Sequence, residues 1–240
     1  MLAYGRNTVT EALKSNFKVR EVFLEANIKQ DPKIANITKL AEDSGVRVSF
    51  ANIKVLNKLA HSDEHQGVAC DIEFHDKKLK EVLTPEANSF IYISEATFEQ
   101  NIGAIIRTAE CAGISGVIIP NSMSITPTIA KISTGAVFHI PIIKSAIYPT
   151  IKEFKNSFYQ IIGIERNGES ITSATLPLSC LFLIGGEDKS LSDGVRKECD
   201  KIIEIPQFGH VNSLNMSVAS AIVIYEFVRQ NIDSLQSNGQ

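Results

Sequence analysis

The feature that most constrains the fold is a regular alternation of apolar and helical segments from residue 90 onward. The apolar runs are short enough for strands, and the segments between them have apolar residues at helical spacing. Nearly continuous apolar strands that alternate with helices are typical of a parallel sheet covered on both faces. We therefore predict an α/β fold with strands at 90–93, 117–119, 138–143, 159–164, 181–184 and 202–205 and helices at 101–112, 125–131, 151–158, 192–198 and 215–230.

The first 73 residues repeat this alternation on a smaller scale. Residues 1–73 therefore predict a separate small α/β domain. A charged, proline-containing stretch, HDKKLKEVLTPEAN, then interrupts the pattern, and we assign 74–88 to a linker. The second domain is expected to occupy 89–240. In the first domain, helices are predicted at 8–15, 32–43 and 53–59 and strands at 20–24, 46–49 and 67–72.

The composition limits the partners of the protein. The 240 residues carry a formal net charge of −3, so an RNA partner must be held by a local basic patch and not by a global field. The sequence has no signal-peptide pattern and no apolar stretch near the roughly 20 residues of a membrane span. Its four cysteines are widely spaced, as expected for reduced thiols. We expect a cytoplasmic protein without a membrane partner.

Residues 202–231 have the outline of a ligand site. A short apolar strand ends at Pro206, a polar loop follows, and a helix begins at Asn215 with Ser213 available to cap it. This order of elements often binds ligands in α/β sheets, although an ordinary turn has the same outline. Because the helix is apolar on most of its circumference, we expect a second subunit to cover part of it.

The helix after the first strand of the second domain carries a second group of polar residues. Asn101 stands where a helix cap is expected, and Gly103 allows a close backbone approach. Arg107 lies among aliphatic residues. An ion pair with Glu110, three residues later, is the structural alternative to a functional role for this arginine.

The strand at 181–184 ends in a third such group. It runs directly into Gly185 and Gly186, which let a ligand approach the main chain, and Glu187 follows. A pair of glycines alone is equally compatible with a tight turn.

The three groups together are far more specific than any one of them. N-x-G-x-x-x-R, G-x-E after a strand, and I-P followed by S-L-N resemble the three motifs of the SpoU (TrmH) RNA 2′-O-ribose methyltransferases, a branch of the SPOUT superfamily. The first domain is similar to the ribosomal-protein-L30e-like domain of the RlmB-type 23S rRNA guanosine methyltransferases. That similarity is carried by Tyr4-Gly5, Val9, Glu11-Ala12-Leu13, Glu21-Val22-Phe23 and His65-Gln66-Gly67, and Ser133 with Gly135-Ala136 also fits the family.

The resemblance implies a fold and a reaction. The fold is a SPOUT (α/β knot) catalytic domain with a mostly parallel sheet and a deep C-terminal trefoil knot, preceded by the L30e-like domain, and the protein is a homodimer through its C-terminal helix. The reaction transfers a methyl group from S-adenosylmethionine to a ribose 2′-hydroxyl of RNA. The RNA expected is 23S rRNA, methylated at a guanosine, with tRNA as the alternative.

The resemblance also assigns roles to residues. Arg107 is the catalytic candidate, but a guanidinium stays protonated and is no ordinary base, so we expect it to stabilise a developing alkoxide or a phosphate. No metal is expected. The residues that would contact S-adenosylmethionine are Gly185, Ile205 and Leu214, and those that would form the polar wall with Arg107 are Asn101, Glu187, Ser213 and Asn215.

Departures from the family pattern keep other functions open. Phe98-Glu99 replaces a common Asp-Pro, and Asp188, Lys189 and Ser190 replace a glycine-rich continuation of the second motif. These changes could alter the substrate, or leave a catalytically weak RNA-binding factor for ribosome assembly. A small-molecule enzyme is disfavoured by the additional first domain.

One short pattern suggests a metal site. His61, Glu64 and His65 match H-x-x-E-H, a zinc-peptidase pattern. No third ligand accompanies them, and short motifs often match by chance, so we expect a structural role there.

Overall fold

The computed structural model describes residues 1–29, 31–186, 190–211 and 213–238. It contains helices and strands in alternation, together with one short 3-10 helix (Ala136–Phe138). In chain order they are β1 (Leu2–Tyr4), α1 (Arg6–Lys14), β2 (Val19–Glu25), α2 (Pro32–Asp43), β3 (Arg47–Ala51), α3 (Ile53–Ala60), β4 (Val68–Ile72), α4 (Leu79–Val82), β5 (Ser89–Ile93), α5 (Glu99–Cys111), β6 (Gly116–Ile119), α6 (Pro127–Ile132), β7 (Ile142–Lys144), α7 (Ile147–Asn156), β8 (Gln160–Ser170), β9 (Cys180–Ile184), α8 (Asp193–Glu198), β10 (Lys201–Glu204) and α9 (Met216–Asn238).

The chain divides into two compact units. The first contains Met1–His75 and Ile125–His139, and the second contains Asp76–Ser124 and Ile140–Gln240. The division at residue 75 lies close to the predicted end of the first domain. The position of Ile125–His139 differs from the prediction, because the sequence pattern assigns this segment to the second domain.

Contacts within the first unit explain where residues 125–139 belong. Helix α6 packs on β1. Gly135 has a φ of 91°, and a Cβ added there would lie 2.6 Å from the Cβ of Glu11 on α1. His139 Nε2 also lies 2.9 Å from Glu11 Oε2. Contacts between residues so far apart in sequence leave no local pattern. A domain division based on sequence therefore places residues 125–139 in the second domain, with the segments that flank them.

The first unit is a small α/β structure, as predicted. Its four strands are ordered β1-β4-β2-β3, and only β2 and β3 are parallel. Helix α2 begins where Asp31 accepts hydrogen bonds from two backbone N–H groups and Pro32 occupies the first turn. Gln66 and Gly67 both have positive φ, 55° and 76°, which forms the turn that precedes β4. Strand β1 was not predicted because it has only three residues.

The second unit confirms the predicted parallel sheet. Its six strands are ordered β10-β8-β9-β5-β6-β7 and all neighbouring pairs are parallel. Every residue of β5 and β9 is buried, which explains why these strands are continuously apolar. The carboxyl ends of β9 and β10 flank the end of β8, and this edge of the sheet carries the candidate site.

Several element bounds differ from the prediction, and three of these differences concern β7, β8 and α9. The expected strand at 138–143 is the end of the 3-10 helix followed by β7, because Pro141 cannot donate to a ladder and the strand starts after it. Strand β8 continues to Ser170, and α9 continues to Asn238 past a break at Asn231, where φ is −120°. In the described part of the chain, no helix has the length and apolar character needed to cross a membrane.

Candidate active site

A cleft of about 380 Å³ lies in the second unit at the carboxyl ends of β9 and β10. Gly185 follows β9 directly, Ile205 follows β10 directly, and Ser213 and Leu214 precede α9. All four line the cleft. The structure thus brings together the three residues predicted to contact the cofactor and one residue of the predicted polar wall. Ligands of parallel α/β sheets bind at this edge.

The walls of the cleft combine apolar side chains with polar ones. Ile164, Ile184 and Met216 contribute side chains, and Gly185 and Gly186 leave the main chain open to approach. The volume lies in the range of roughly 300–1,000 Å³ that small-molecule sites occupy. The cleft therefore suits a small ligand with an apolar ring system.

Asn215 caps the helix at the edge of the cleft. Its Oδ1 accepts a hydrogen bond of 2.8 Å from the backbone N–H of Ser217 and one of 3.4 Å from that of Val218. The prediction that Ser213 caps α9 is therefore wrong. Ser213 lies too early in the chain, because the first turn of α9 begins at Met216, and it is exposed at the cleft.

Asn101 is joined directly to Asn215. The Nδ2 of Asn215 donates a hydrogen bond of 3.0 Å to Asn101 Oδ1. Asn101 is only 7% exposed and lies in the first turn of α5, so it is not the cap predicted for this helix, which already begins at Glu99. Helix α5 packs against α9. The first and third motifs therefore meet through two side-chain amides.

Arg107 is placed differently from the other predicted residues. It is exposed on α5 and does not line the cleft. In the part of the chain that the structure describes, no ion pair connects it with Glu110, its expected structural partner. The guanidinium is thus accessible to a ligand from outside the chain, and its catalytic role stays a prediction.

Glu187, the remaining predicted residue, lies outside the described residues, as do Asp188 and Lys189. Ser190, which follows them, is exposed and lines the cleft. Of the second motif and its continuation, Gly185, Gly186 and Ser190 are therefore the described residues that line the cleft.

Glu165 and Arg166 also line the cleft, although no sequence pattern selects them. The Glu165 side chain is 8% exposed, accepts a hydrogen bond of 2.5 Å from the backbone N–H of Leu191, and lies 3.3 Å from Arg196. Both residues stand after the predicted end of the strand at 164. The only sequence signal near them is the Asn-Gly pair 167–168, which marks a bend.

Cys199 and His65 have structural surroundings and not those of an activated nucleophile or a metal ligand. Burial raises the pKa of the Cys199 thiol to about 11, so this cysteine behind the sheet stays protonated at neutral pH. His65 is buried, its Nε2 lies 2.6 Å from Asn57 Oδ1, and its Nδ1 accepts from the Gly67 N–H, which is a structural role. Among residues 1–29, 31–186, 190–211 and 213–238, no three His, Cys, Asp or Glu side chains are grouped for a metal ion.

Two family models cover most of the chain. The model described as SpoU rRNA Methylase family matches residues 88–225, and the one described as RNA 2′-O ribose methyltransferase substrate binding matches residues 2–77. A TrmH family protein of Staphylococcus aureus, assigned by its name to the tRNA/rRNA methyltransferases, is 35% identical over 239 residues, or 95% of this chain and 96% of its own length. A similarly named protein of Staphylococcus saprophyticus is 34% identical and covers 94% of each chain.

Solved structures share the fold over nearly the whole chain. The SpoU methyltransferase AviRb from Streptomyces viridochromogenes, in complex with the cofactor AdoMet, aligns with a TM-score of 0.84 at 23% identity, over 97% of this chain and 90% of its own. An AdoMet-bound rRNA methyltransferase from Sinorhizobium meliloti aligns with a TM-score of 0.80 at 24% identity, over 95% and 86%. These similarities establish the fold.

The parallel sheet, the cleft at its carboxyl edge and these matches define an RNA methyltransferase. Within that class, the chain belongs to the SpoU rRNA methylase family, also called TrmH.

Proposed function

We propose that the protein transfers the methyl group of S-adenosylmethionine to a ribose 2′-hydroxyl of RNA, at a guanosine of 23S rRNA. The observation that carries this proposal is the cleft that joins Gly185, Ile205 and Leu214. The residue types fit the cofactor: isoleucine and leucine side chains suit the adenine ring, and the open main chain at Gly185 and Gly186 supplies hydrogen-bonding groups at close range.

The proposed reaction requires little acid–base catalysis from the protein. S-adenosylmethionine supplies a methyl group that its sulfonium already activates. The chain must therefore align the ribose oxygen and favour loss of its proton, and alignment alone supplies up to roughly 7–11 kcal/mol. Asn101 and Asn215 hold α5 and α9 together beside the cleft, and we assign Arg107 to the developing negative charge on the ribose oxygen.

The proposed working unit is a homodimer through α9. Among the large apolar side chains of this helix that remain exposed in the single chain are Val218 at 48%, Ile222 at 39% and Tyr225 at 52%. Their spacing of three or four residues puts them on one face of the helix. A second copy covering this face would lie beside α5, which carries Arg107. The trefoil knot implied by the family is part of the same proposal.

Cofactor binding provides the first test. We expect isothermal titration calorimetry to detect binding of S-adenosylmethionine, and a ligand at 100 times its dissociation constant to add about 2.7 kcal/mol to the free energy of unfolding. Leu214→Asp places a charge in the apolar cleft and should abolish binding. Val211→Asp is the matched control, since Val211 belongs to the same loop, is more exposed and does not line the cleft.

The substrate is tested by mapping 2′-O-methyl positions in total RNA from cells with and without the protein. Loss of one methylated guanosine in 23S rRNA is expected. Loss of a tRNA methylation instead would keep the reaction and correct the substrate. A protein that binds RNA but neither binds S-adenosylmethionine nor changes any 2′-O-methyl position would overturn the proposal in favour of an assembly factor.

A further inference from the structure

Strand β8 leaves its ladder with β10 and re-enters it further along. Ile202 pairs with Gly163, but the next residue, Ile203, pairs with Glu169. Residues 164–168 therefore form an excursion between two paired segments, which we call the β8 excursion. Its first three residues, Ile164, Glu165 and Arg166, line the cleft.

The backbone of the β8 excursion is fixed by specific contacts. Asn167 has a φ of 61°, a conformation that asparagine tolerates better than most residues, and its N–H donates a hydrogen bond of 2.7 Å to Glu204 Oε2. Gly168 lies directly against β10, because an added Cβ would be 2.5 Å from the carbonyl oxygen of Ile202. The structure therefore holds Arg166 at a defined place on the rim of the cleft.

Three described carboxylates near the β8 excursion already have partners. Glu165 binds the Leu191 N–H and Arg196, Glu204 binds the Asn167 N–H, and Glu169 lies 3.2 Å from Lys201. Arg166 is exposed and has no such partner among the described residues. It is also the one lysine or arginine among the described residues that line the cleft. Among residues 1–29, 31–186, 190–211 and 213–238, no carboxylate neutralises this positive charge on the rim.

We propose that Arg166 binds a phosphate of the RNA, the 3′-phosphodiester of the nucleotide whose ribose is methylated. This inference rests on the proposed function. The 2′-oxygen and the 3′-phosphate are attached to neighbouring carbons of one ribose, so a nucleotide that presents its 2′-oxygen to the cleft brings an anion to the rim. A guanidinium matches two phosphate oxygens with two parallel N–H bonds. Because Arg166 is exposed and lines the cleft, its guanidinium can reach an anion outside the chain.

Arg166→Gln tests the inference through RNA affinity. Unmodified 23S rRNA transcribed in vitro serves as the probe, and its dissociation constant is measured over a series of salt concentrations. We expect the variant to bind RNA about three- to tenfold more weakly, and its log–log salt slope to be smaller by about 0.7–0.9, the contribution of one phosphate contact. The KM for RNA should rise by the same factor while kcat and the dissociation constant of S-adenosylmethionine stay unchanged.

Two further variants distinguish the effect of a positive charge at position 166 from the effect of a positive charge elsewhere on the surface. Arg166→Lys keeps the cation and should keep the salt slope, while it loses part of the affinity with the paired N–H bonds. Lys197→Gln removes the same charge from an exposed position of α8 that does not line the cleft, and should change neither RNA affinity nor slope. Thermal unfolding of all variants should match that of the unaltered protein.

The inference is overturned if Arg166→Gln leaves RNA affinity and slope unchanged. It is also overturned if the variant loses S-adenosylmethionine affinity while RNA binding persists, because Arg166 would then serve the carboxylate of the cofactor. Failure of the unaltered protein to methylate RNA counts against the proposed function alone, since the Arg166 test is read from RNA affinity.

Discussion

Asn215 has two tasks at the start of α9, and each uses a different atom of its side chain. The oxygen caps the helix by accepting from the N–H of Ser217, while the nitrogen donates to Asn101 on α5. Aspartate could cap a helix equally well, but an ionised carboxylate has no N–H or O–H to donate to Asn101. The amide therefore couples the start of α9 to α5 beside the cleft.

The role assigned to the single residue Arg107 leads to a direct prediction about catalysis. Arg107→Ala should lower turnover by about 10²–10³-fold, the usual effect of removing one group that stabilises an oxyanion. Because Arg107 does not line the cleft, the dissociation constant of S-adenosylmethionine should stay unchanged. Single-turnover methylation and calorimetry measure the two quantities.

Glu110→Ala is the control for that experiment. It removes the expected structural partner of Arg107 and should leave turnover intact. Normal methylation by Arg107→Ala would exclude the catalytic assignment.

Some of the site could be predicted because its residues follow strand ends. Gly185 and Ile205 come directly after β9 and β10, and parallel strands end at one edge of the sheet, so the sequence places them together. Glu165 and Arg166 could not be predicted in this way. They lie in the β8 excursion, where the pairing register with β10 shifts between Ile202 and Ile203, and such a shift leaves no periodicity in the sequence.

At the scale of the elements, the β8 excursion depends on the close approach of two backbones. Gly168→Ala would force a Cβ to within 2.5 Å of the Ile202 carbonyl oxygen, and a backbone atom in a sheet cannot move aside as a side chain can. We expect a loss of about 1–3 kcal/mol in the free energy of unfolding, together with weaker S-adenosylmethionine binding as the cleft wall shifts. Urea denaturation and calorimetry test both effects.

Gly209→Ala is the matched substitution for this comparison. Gly209 lies in the loop after β10, has no heavy atom within 4 Å of its hypothetical Cβ, and should tolerate alanine. Equal free energies of unfolding for the two variants would show that the close approach of β8 and β10 does not exclude a side chain at position 168.

The elements that the sequence predicted well are those whose own residues decide their structure. Strands β5 and β9 are almost entirely apolar because all their residues are buried, and α2 has the predicted bounds, with the Asp31 cap and Pro32 at its start. The expected strand at 138–143 failed because its apolar residues are also those of a buried 3-10 turn, in which Val137 and Phe138 pack inside the first unit. Burial alone does not distinguish the two structures.

At the scale of the whole molecule, the exposed apolar face of α9 predicts association. Ile222→Glu should place a charge in the centre of that face and convert a dimer into monomers, because a buried unpaired charge costs several kcal/mol. Light scattering coupled to size exclusion measures the mass. The change should also lower turnover if α5 and its Arg107 act within the dimer.

Val55→Glu provides a comparison outside α9. Val55 is 44% exposed on α3 of the first unit, so the same charge there should leave the mass unchanged. An unaltered mass for Ile222→Glu, with dimeric protein in both samples, would contradict an interface through α9.

The packing of residues 125–139 within the first unit has a consequence for biosynthesis. A ribosome releases β1 to β4 early, but α6, which covers β1, is made only after the first strands of the second sheet. Domains ordinarily fold as units in the order of their synthesis. Here the earliest part of the protein must wait for a later stretch of chain before its core is closed, so nascent chains that end near residue 75 should be more sensitive to protease than those that extend past 139.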